Sequence, residues 1–155
     1  MTGGRVESLW VASAAGAPPT RVVSVHVEPG RGLDGDRYAG KRGTYSTWPG
    51  AGREVTLIAA EAIEAVEAEL GARIDPGSLR RNVVVRGVDL DASIGRELAI
   101  GEVRLRAVRP CEPCTYLAKL LGEPRLLKAL VRRGGLRCDV VVAGTITAGD
   151  AVVPV

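Results

Sequence analysis

The chain has 155 residues, a length that suits one domain with a sizeable core, and we expect residues 1–155 to form a single domain. Its net charge of +3 is too small and too scattered to predict a nucleic-acid partner, although it is compatible with a small anionic ligand. Apolar residues make up 46% of the chain and aromatic residues 3%, and phenylalanine is absent, so the core must be aliphatic.

Short strands dominate the predicted elements. Residues 6–11 and 21–27 are predicted as an antiparallel pair, joined by a turn rich in alanine, glycine and proline at residues 14–19. Residues 54–58 form the next predicted strand. The remaining predicted strands cover residues 82–85, 97–100, 102–108, 139–142 and 151–153.

Few helices interrupt these strands. Residues 59–70 are predicted as a helix because Ile63, Val66 and Leu70 recur at helical spacing, and Gly71 is a favoured helix end. Two short helices are predicted between residues 115 and 133. Strands separated by glycine-rich turns, with few helices and no βαβ alternation, predict a mainly β fold with a few short helices, arranged as a barrel or a sandwich.

Residues 29–53 do not fit a regular element. They contain seven glycines and little apolar periodicity, and a loop of this length inside a compact domain is typical of a functional segment. Asp34 and Asp36 have the spacing found in calcium loops, but the rest of an EF-hand is missing. Arg37, followed by glycines and further cations, instead favours an anion site. We therefore predict a loop that covers a ligand.

Cys111 and Cys114 lie where a predicted strand leads into a predicted helix. A cysteine at a helix N-terminus is favoured as a thiolate, and Arg109 and Arg137 add positive charge. The pair is compatible with a thiol–disulfide pair or with a single thiolate that binds a soft metal or carries sulfur. It is also compatible with two buried cysteines that have no function.

Half a zinc site is a further possibility for the cysteine pair, completed by Cys138 and His26. Three cysteines in a reducing compartment favour catalytic or metal-binding roles over structural disulfides. Because the N-terminus lacks an apolar signal-peptide region and no stretch is long enough to span a membrane, we expect a cytoplasmic protein without a membrane partner.

Two arginine-containing runs are further candidates for anion binding. The run Arg80-Arg81-Asn82 precedes a valine-rich strand and could clamp a phosphate, with Asn82 as an orienting amide; a solvated surface is the alternative. The run Gly134-Gly135-Leu136-Arg137 follows the second short helix and could add backbone N–H groups and a cation to the same site.

Several segments, in this order, resemble the MOSC domain, which is named after the C-terminal domain of molybdenum cofactor sulfurase. The resemblance extends over residues 21–155 and depends on residues 32–40, 53–58, 79–87, 94–95, 111–115, 134–137 and 144–150. It implies a MOSC-type β-barrel of the pyruvate-kinase barrel-like kind.

The resemblance also implies a site for the molybdenum cofactor, molybdopterin. Cys114 matches the reactive cysteine that ligates molybdenum in the amidoxime-reducing members, so Cys114 is the predicted catalytic residue and metal ligand. Arg80 and Asn82 look like the Arg-x-Asn element that holds the pterin, and Arg37 matches the loop in front of it. The other predicted cofactor-binding residues are Arg81, Cys111, Thr115, Gly135 and Arg137.

The implied function is cofactor binding or sulfur transport, with reduction of a small N-hydroxylated substrate as the expected reaction if the protein catalyses one. The partners would be the anionic pterin and a separate electron donor or cysteine desulfurase, since the chain has no room for the pyridoxal-phosphate desulfurase domain of larger members. A dithiol redox protein that uses Cys111 and Cys114 is one alternative. A non-catalytic anion- or pterin-binding module is the other.

Overall fold

The computed structural model describes residues 3–13, 17–36, 52, 54–111 and 125–155, without the side chain of Leu127. Its helices are α1 (Ala60–Leu70) and α2 (Arg125–Ala129), and single 3₁₀ turns cover Pro76–Leu79 and Asp91–Ser93. Its strands are β1 (Gly4–Val11), β2 (Thr20–Val22), β3 (Ser24–Glu28), β4 (Gly32–Leu33), β5 (Val55–Ala59), β6 (Val83–Arg86), β7 (Glu97–Ile100), β8 (Val103–Pro110), β9 (Leu136–Val142), β10 (Gly144–Thr147) and β11 (Ala151–Pro154).

Seven of these strands form a closed barrel. Their order is β11-β7-β8-β9-β5-β6-β1, and pairing of β11 with β1 closes the ring. β2 extends the sheet beyond β1, and β10, β3 and β4 form a separate three-stranded sheet. The mainly β barrel predicted from the sequence is therefore confirmed.

One parallel pair departs from the predicted pattern. β5 and β6 run parallel, with Leu57 opposite Val83, and α1 makes the crossover between them. The expectation of no βαβ unit was therefore wrong at this one place. The predicted helix is confirmed as α1, since Ile63 and Val66 are buried and Gly71 ends the helix at φ 67° with its N–H bonded to the Glu67 carbonyl.

Aliphatic side chains fill two core layers. The first lies inside the barrel, and its fully buried members include Leu9, Leu57, Leu98, Leu105, Leu136 and Ile146. The second lies between the outer face of β5 and β6 and the helices, and includes Ile58, Val84, Ile63, Val66, Leu126 and Leu130. β5 and β6 are buried on both faces for this reason, which explains their largely apolar sequences.

Most predicted strands shift by one or two residues at an end, and larger differences occur at β2 and β3, at β9 and at β10. The predicted strand over residues 21–27 is broken at Val23, because Val22 pairs with Leu9 of β1 whereas Ser24 pairs with Thr147 of β10. The strand predicted over residues 139–142 begins three residues earlier, at Leu136. β10 was not predicted as a strand.

Two predictions fall partly outside the described residues. Of the loop predicted over residues 29–53, the structure describes residues 29–36 and 52, which include β4. Of the two short helices predicted between residues 115 and 133, α2 is described, and the first lies outside the described residues.

Candidate functional site

The run of residues 80–82 lies at the entrance to β6, and all three side chains are buried. The 3₁₀ turn Pro76–Leu79 ends at Arg80, which has a left-handed backbone (φ 62°) and thereby redirects the chain into the barrel. Arg80 Nη1 donates a hydrogen bond to the Ala17 carbonyl at 2.5 Å. The predicted anion-binding run is thus an interior segment and not a solvated surface.

Arg81 uses all three guanidinium nitrogens on backbone carbonyls. Its Nε donates to Gly134 O at 2.8 Å, its Nη1 to Leu79 O at 3.2 Å and its Nη2 to Cys111 O at 3.3 Å. Hydrogen bonds from a charged donor are stronger than neutral ones. Arg81 therefore ties the 3₁₀ turn, the turn before β9 and the end of β8 to one another.

Asn82 joins three strands through both ends of its amide. Its Oδ1 accepts hydrogen bonds from the backbone N–H and the hydroxyl of Thr56, each at 3.0 Å, and its Nδ2 donates to Trp10 O at 3.2 Å. The Asn82 backbone N–H also donates to Thr56 Oγ1 at 3.0 Å. These contacts connect the ends of β1, β5 and β6.

Cys111 is fixed through its backbone on both sides. Its N–H donates to the Gly135 carbonyl at 2.7 Å, and its own carbonyl accepts from Arg81. Gly135 has φ 96°, and a Cβ added there would lie 1.8 Å from the Leu57 carbonyl oxygen, so only glycine fits. We call Thr56, Arg81, Asn82, Cys111 and Gly135 the site frame.

The described cysteines are free thiols inside the barrel wall. Cys111 is 1% exposed and Cys138 is fully buried. Burial raises the pKa of the Cys138 thiol to about 12, with smaller contributions from Asp139 and Cys111. Cys138 is therefore a thiol and not a thiolate at neutral pH.

Among the described residues, no group of three or more His, Cys, Asp or Glu side chains could hold a metal ion, so these residues do not support the zinc alternative. His26 lies on β3 in the smaller sheet, with its Nε2 3.1 Å from Glu28 Oε1.

Arg137 lies beside the site frame, on the outward side of β9. It is half-buried, and it pairs in register with Thr56 of β5 and with the exposed Arg109 of β8. Within the described part of the chain, neither arginine has a carboxylate within ion-pair distance. We call Arg109 and Arg137 the arginine pair.

A carboxyl pair lies near Arg137, formed by Asp139 of β9 and by Glu54, which precedes β5. Asp139 Oδ1 accepts a hydrogen bond from the Gly52 N–H at 2.7 Å, and Glu54 Oε1 accepts from Gly30 N at 3.1 Å and Val140 N at 3.0 Å. Burial, reinforced by Asp139, raises the pKa of Glu54, although its two backbone hydrogen bonds oppose the shift. The Glu54 carboxyl therefore holds its proton to a higher pH than an exposed glutamate does.

Three predicted site residues, Arg37, Cys114 and Thr115, lie outside the described residues, so their roles stay predictions. The described residues that flank them are held in place. Asp36 Oδ1 accepts the Ala12 N–H at 3.0 Å, and Cys111 belongs to the site frame. The structure thus brings Arg80, Arg81, Asn82, Cys111, Gly135 and Arg137 to one part of the barrel wall.

The sequence model of the MOSC domain matches residues 33–153, which is most of the chain. The chain belongs to the MOSC domain family. MOSC domains are generally associated with the molybdenum cofactor. No curated protein matches the chain in sequence.

Solved structures share the MOSC fold of this chain at low sequence identity. The YuaD protein from Bacillus subtilis has a TM-score of 0.79 at 21% identity, with 97% of this chain and 94% of that chain covered. YiiM from Geobacillus stearothermophilus has a TM-score of 0.76 at 20% identity, with 98% and 75% covered. YiiM from Escherichia coli has a TM-score of 0.70 at 16% identity, with 97% and 69% covered.

Sequence reasoning missed two residues of this MOSC site. Thr56 was assigned only to a strand, although a threonine inside an otherwise apolar, doubly buried strand is a signal for a buried hydrogen-bond partner. Trp10 contributes through its carbonyl, for which a sequence carries no signal.

None of the helices in the described ranges has the length and apolar character needed to cross a lipid bilayer.

Proposed function

We propose that this MOSC protein binds the molybdenum cofactor, or carries sulfur, on Cys114, and that it reduces N-hydroxylated compounds when the cofactor is bound. The observation that carries the proposal is the fixed position of Cys111, which begins the cysteine motif next to the arginine pair. The family association with the molybdenum cofactor supports the choice of ligand.

The described residues suit such a ligand chemically. Molybdopterin combines an anionic phosphate with a metal that prefers thiolate ligands. The arginine pair supplies two cations without a carboxylate partner in the described part of the chain, and the cysteine motif supplies thiols. When bound, the cofactor would supply two-electron reduction, in which an N–OH group takes up two electrons and two protons and leaves as N–H and water.

The site frame would act by positioning. Arg81 and the Gly135 carbonyl hold the backbone of Cys111, so the following residues leave the barrel from a fixed point. Asn82 holds β1, β5 and β6 together around the same point. Arg80 is proposed to orient the pterin while Asn82 holds the strand ends around it, and Arg37 and Thr115 are proposed to complete its site. A separate protein would deliver the electrons.

Metal analysis tests the cofactor version of this proposal. Protein is purified gently from a molybdenum-replete host as wild type, Cys114→Ser and Cys138→Ala, the last as a matched control that removes a buried thiol outside the proposed site. We expect molybdenum in the wild type and the control and its loss in Cys114→Ser. Equal molybdenum in all three proteins, or none in any, would refute metal ligation by Cys114.

The sulfur-carrier version has its own readout. After exposure to a cysteine desulfurase and its substrate, mass spectrometry should locate one added sulfur on Cys114. Cys138 serves as an internal control, since its buried thiol with a pKa of about 12 should stay unmodified. Sulfur on Cys111 instead would reassign the reactive cysteine. The 1% exposure of Cys111 gives no support to a dithiol exchange that would need access to it.

A further inference from the structure

Arg109 and Arg137 face one another on neighbouring antiparallel strands, in register. Like charges placed opposite each other across a sheet are destabilising unless something neutralises them. Elsewhere in this sheet, Arg104 and Arg106 share Glu97, and Arg86, which faces Arg5 in register, is neutralised by two glutamates. Among the described residues, the arginine pair has no such partner.

The backbone at residue 52 holds the stems of the arginine pair on one side. A Cβ built on Gly52 would lie 3.1 Å from Arg137 Cβ and 3.6 Å from Arg109 Nε, and Gly52 has a left-handed φ of 84°. The Gly52 N–H is fixed by Asp139. A side chain at position 52 would therefore enter the space that the two arginine stems share.

The arginine pair is also close to the cysteine motif along the strands. Three successive rungs of the β8–β9 ladder are Arg109 opposite Arg137, Pro110 opposite Leu136, and the Cys111–Gly135 hydrogen bond. At about 3.3 Å per residue, two rungs correspond to about 7 Å. A ligand of modest size that contacts the cysteine motif can therefore reach the arginine pair.

Other cations and amides near Cys111 are already used. Arg81 donates from all three of its nitrogens to protein carbonyls, and the amide of Asn82 is bonded at both ends. Redirecting either to a ligand would leave buried carbonyls unpaired, which costs about 1–3 kcal/mol for each group. Recognition of an anion by these side chains would thus require breaking hydrogen bonds that stabilise the fold.

We infer that Arg109 and Arg137 form a clamp for a phosphate-like oxyanion of the ligand, a role that rests on the proposed function of the same site. Two guanidinium groups can each present parallel N–H donors to a tetrahedral dianion. The anion would remove the repulsion within the pair. In this assignment Arg81 is a positioning residue. Arg109 is a binding residue that lies outside the segments whose sequence resembles the MOSC domain.

Calorimetric titration of the full-length protein with pyrophosphate tests the clamp. The proteins are the wild type, Arg109→Gln, Arg137→Gln, the double variant, and Arg104→Gln as a matched control on the same strand. We expect about a tenfold loss of affinity in each single variant, because each removes a charged donor fork, and no measurable binding in the double variant. The control should change affinity by less than about twofold, since Arg104 is exposed and already faces Glu97.

Two results would overturn the clamp. Equal pyrophosphate affinity in the wild type and the double variant would contradict the clamp. A loss of affinity in Arg104→Gln equal to that in the single variants would mean that diffuse surface charge binds pyrophosphate. Circular dichroism and urea unfolding of every variant separate lost binding from lost structure. Pyrophosphate binding and molybdenum content, measured on the wild type and on Cys114→Ser, separate the two proposals. Normal pyrophosphate binding without molybdenum in any protein would contradict cofactor binding alone. Molybdenum in the wild type without pyrophosphate binding would contradict the clamp alone.

Discussion

The site frame and the arginine pair lie within a few residues of one another, yet they use polar groups in opposite ways. In the site frame, Arg81 and Asn82 are buried, and each of their side-chain nitrogens donates to a protein carbonyl. In the arginine pair, two cations meet without a carboxylate partner in the described ranges. Buried and satisfied polar groups hold a structure in place, whereas cations without an ion-pair partner are available to a ligand. The first three predictions below test this division, and the fourth concerns the carboxyl pair beside it.

The largest expected effect belongs to Gly135→Ala. The new Cβ would overlap the Leu57 carbonyl oxygen and would have to adopt φ 96°. We expect a loss of at least about 3 kcal/mol in the free energy of unfolding, or no folded protein. Gly149→Ala is a matched control, with φ 95° and nothing within 4 Å, and should cost about 1–2 kcal/mol. Urea unfolding measures both, and similar losses would mean that close packing at Gly135 is unimportant.

Arg81→Met should lower stability by about 3 kcal/mol, because it keeps much of the side-chain volume but leaves the carbonyls of Leu79, Gly134 and Cys111 without their donor. Arg109→Gln should change stability by no more than about 0.5 kcal/mol, since the exposed Arg109 has no described partner to lose. The midpoint and slope of urea unfolding give the comparison. A larger loss in Arg109→Gln than in Arg81→Met would reverse the division between frame and arginine pair.

Asn82→Asp should cost about 2 kcal/mol at neutral pH. The carboxylate can still accept from Thr56, but it loses the donor to Trp10 O and places a negative charge against that carbonyl. A double-mutant cycle with Thr56→Val should show a coupling of at least about 1 kcal/mol, because the two side chains share hydrogen bonds. Additive losses in the cycle would show that the two residues act independently.

The smallest effect, and one confined to a pH window, concerns Glu54→Gln. Because the pKa of Glu54 is raised above 4.5 in the folded state, the stability linked to its proton is present below pH 4.5 and is lost as pH rises through the folded pKa. The substituted amide would keep the acceptor for Gly30 and Val140 but has no proton to lose. The variant should therefore gain stability relative to the wild type as pH rises through this window. Urea unfolding at several pH values checks it, and parallel curves would contradict it.

Local pattern was enough to predict much of the fold. The spacing of Ile63 and Val66, with Gly71 after them, predicted α1 because helical periodicity and a left-handed helix end are properties of neighbouring residues. The break at Val23 was not predictable, because a run of strand-forming residues does not indicate which of two sheets each half will join. The parallel pairing of β5 and β6 is likewise a property of the whole barrel.

The sequence predicted where the site lies better than it predicted what each of its residues does. The run of residues 80–82 and the residues around Cys111 were predicted to lie together, and they do. A sequence cannot distinguish an arginine that binds an anion from one that binds carbonyls, since that depends on which backbone groups the fold brings within reach. Arg81 finds the nearby Leu79 carbonyl and two carbonyls from distant segments, whereas Arg109 and Arg137 face each other.

The wide sequence separation of the partners in the site frame has a consequence for the order of folding. Asn82 and Thr56 are 26 residues apart, Arg81 and Gly134 are 53 apart, and Asn82 and Trp10 are 72 apart. Contacts of this range form only after large chain loops have closed, which makes them slow to appear in β-rich domains. In a nascent or partly folded chain, the residues that position the cysteine motif would therefore not yet be in place. The chain would become able to bind a ligand only when the barrel closes.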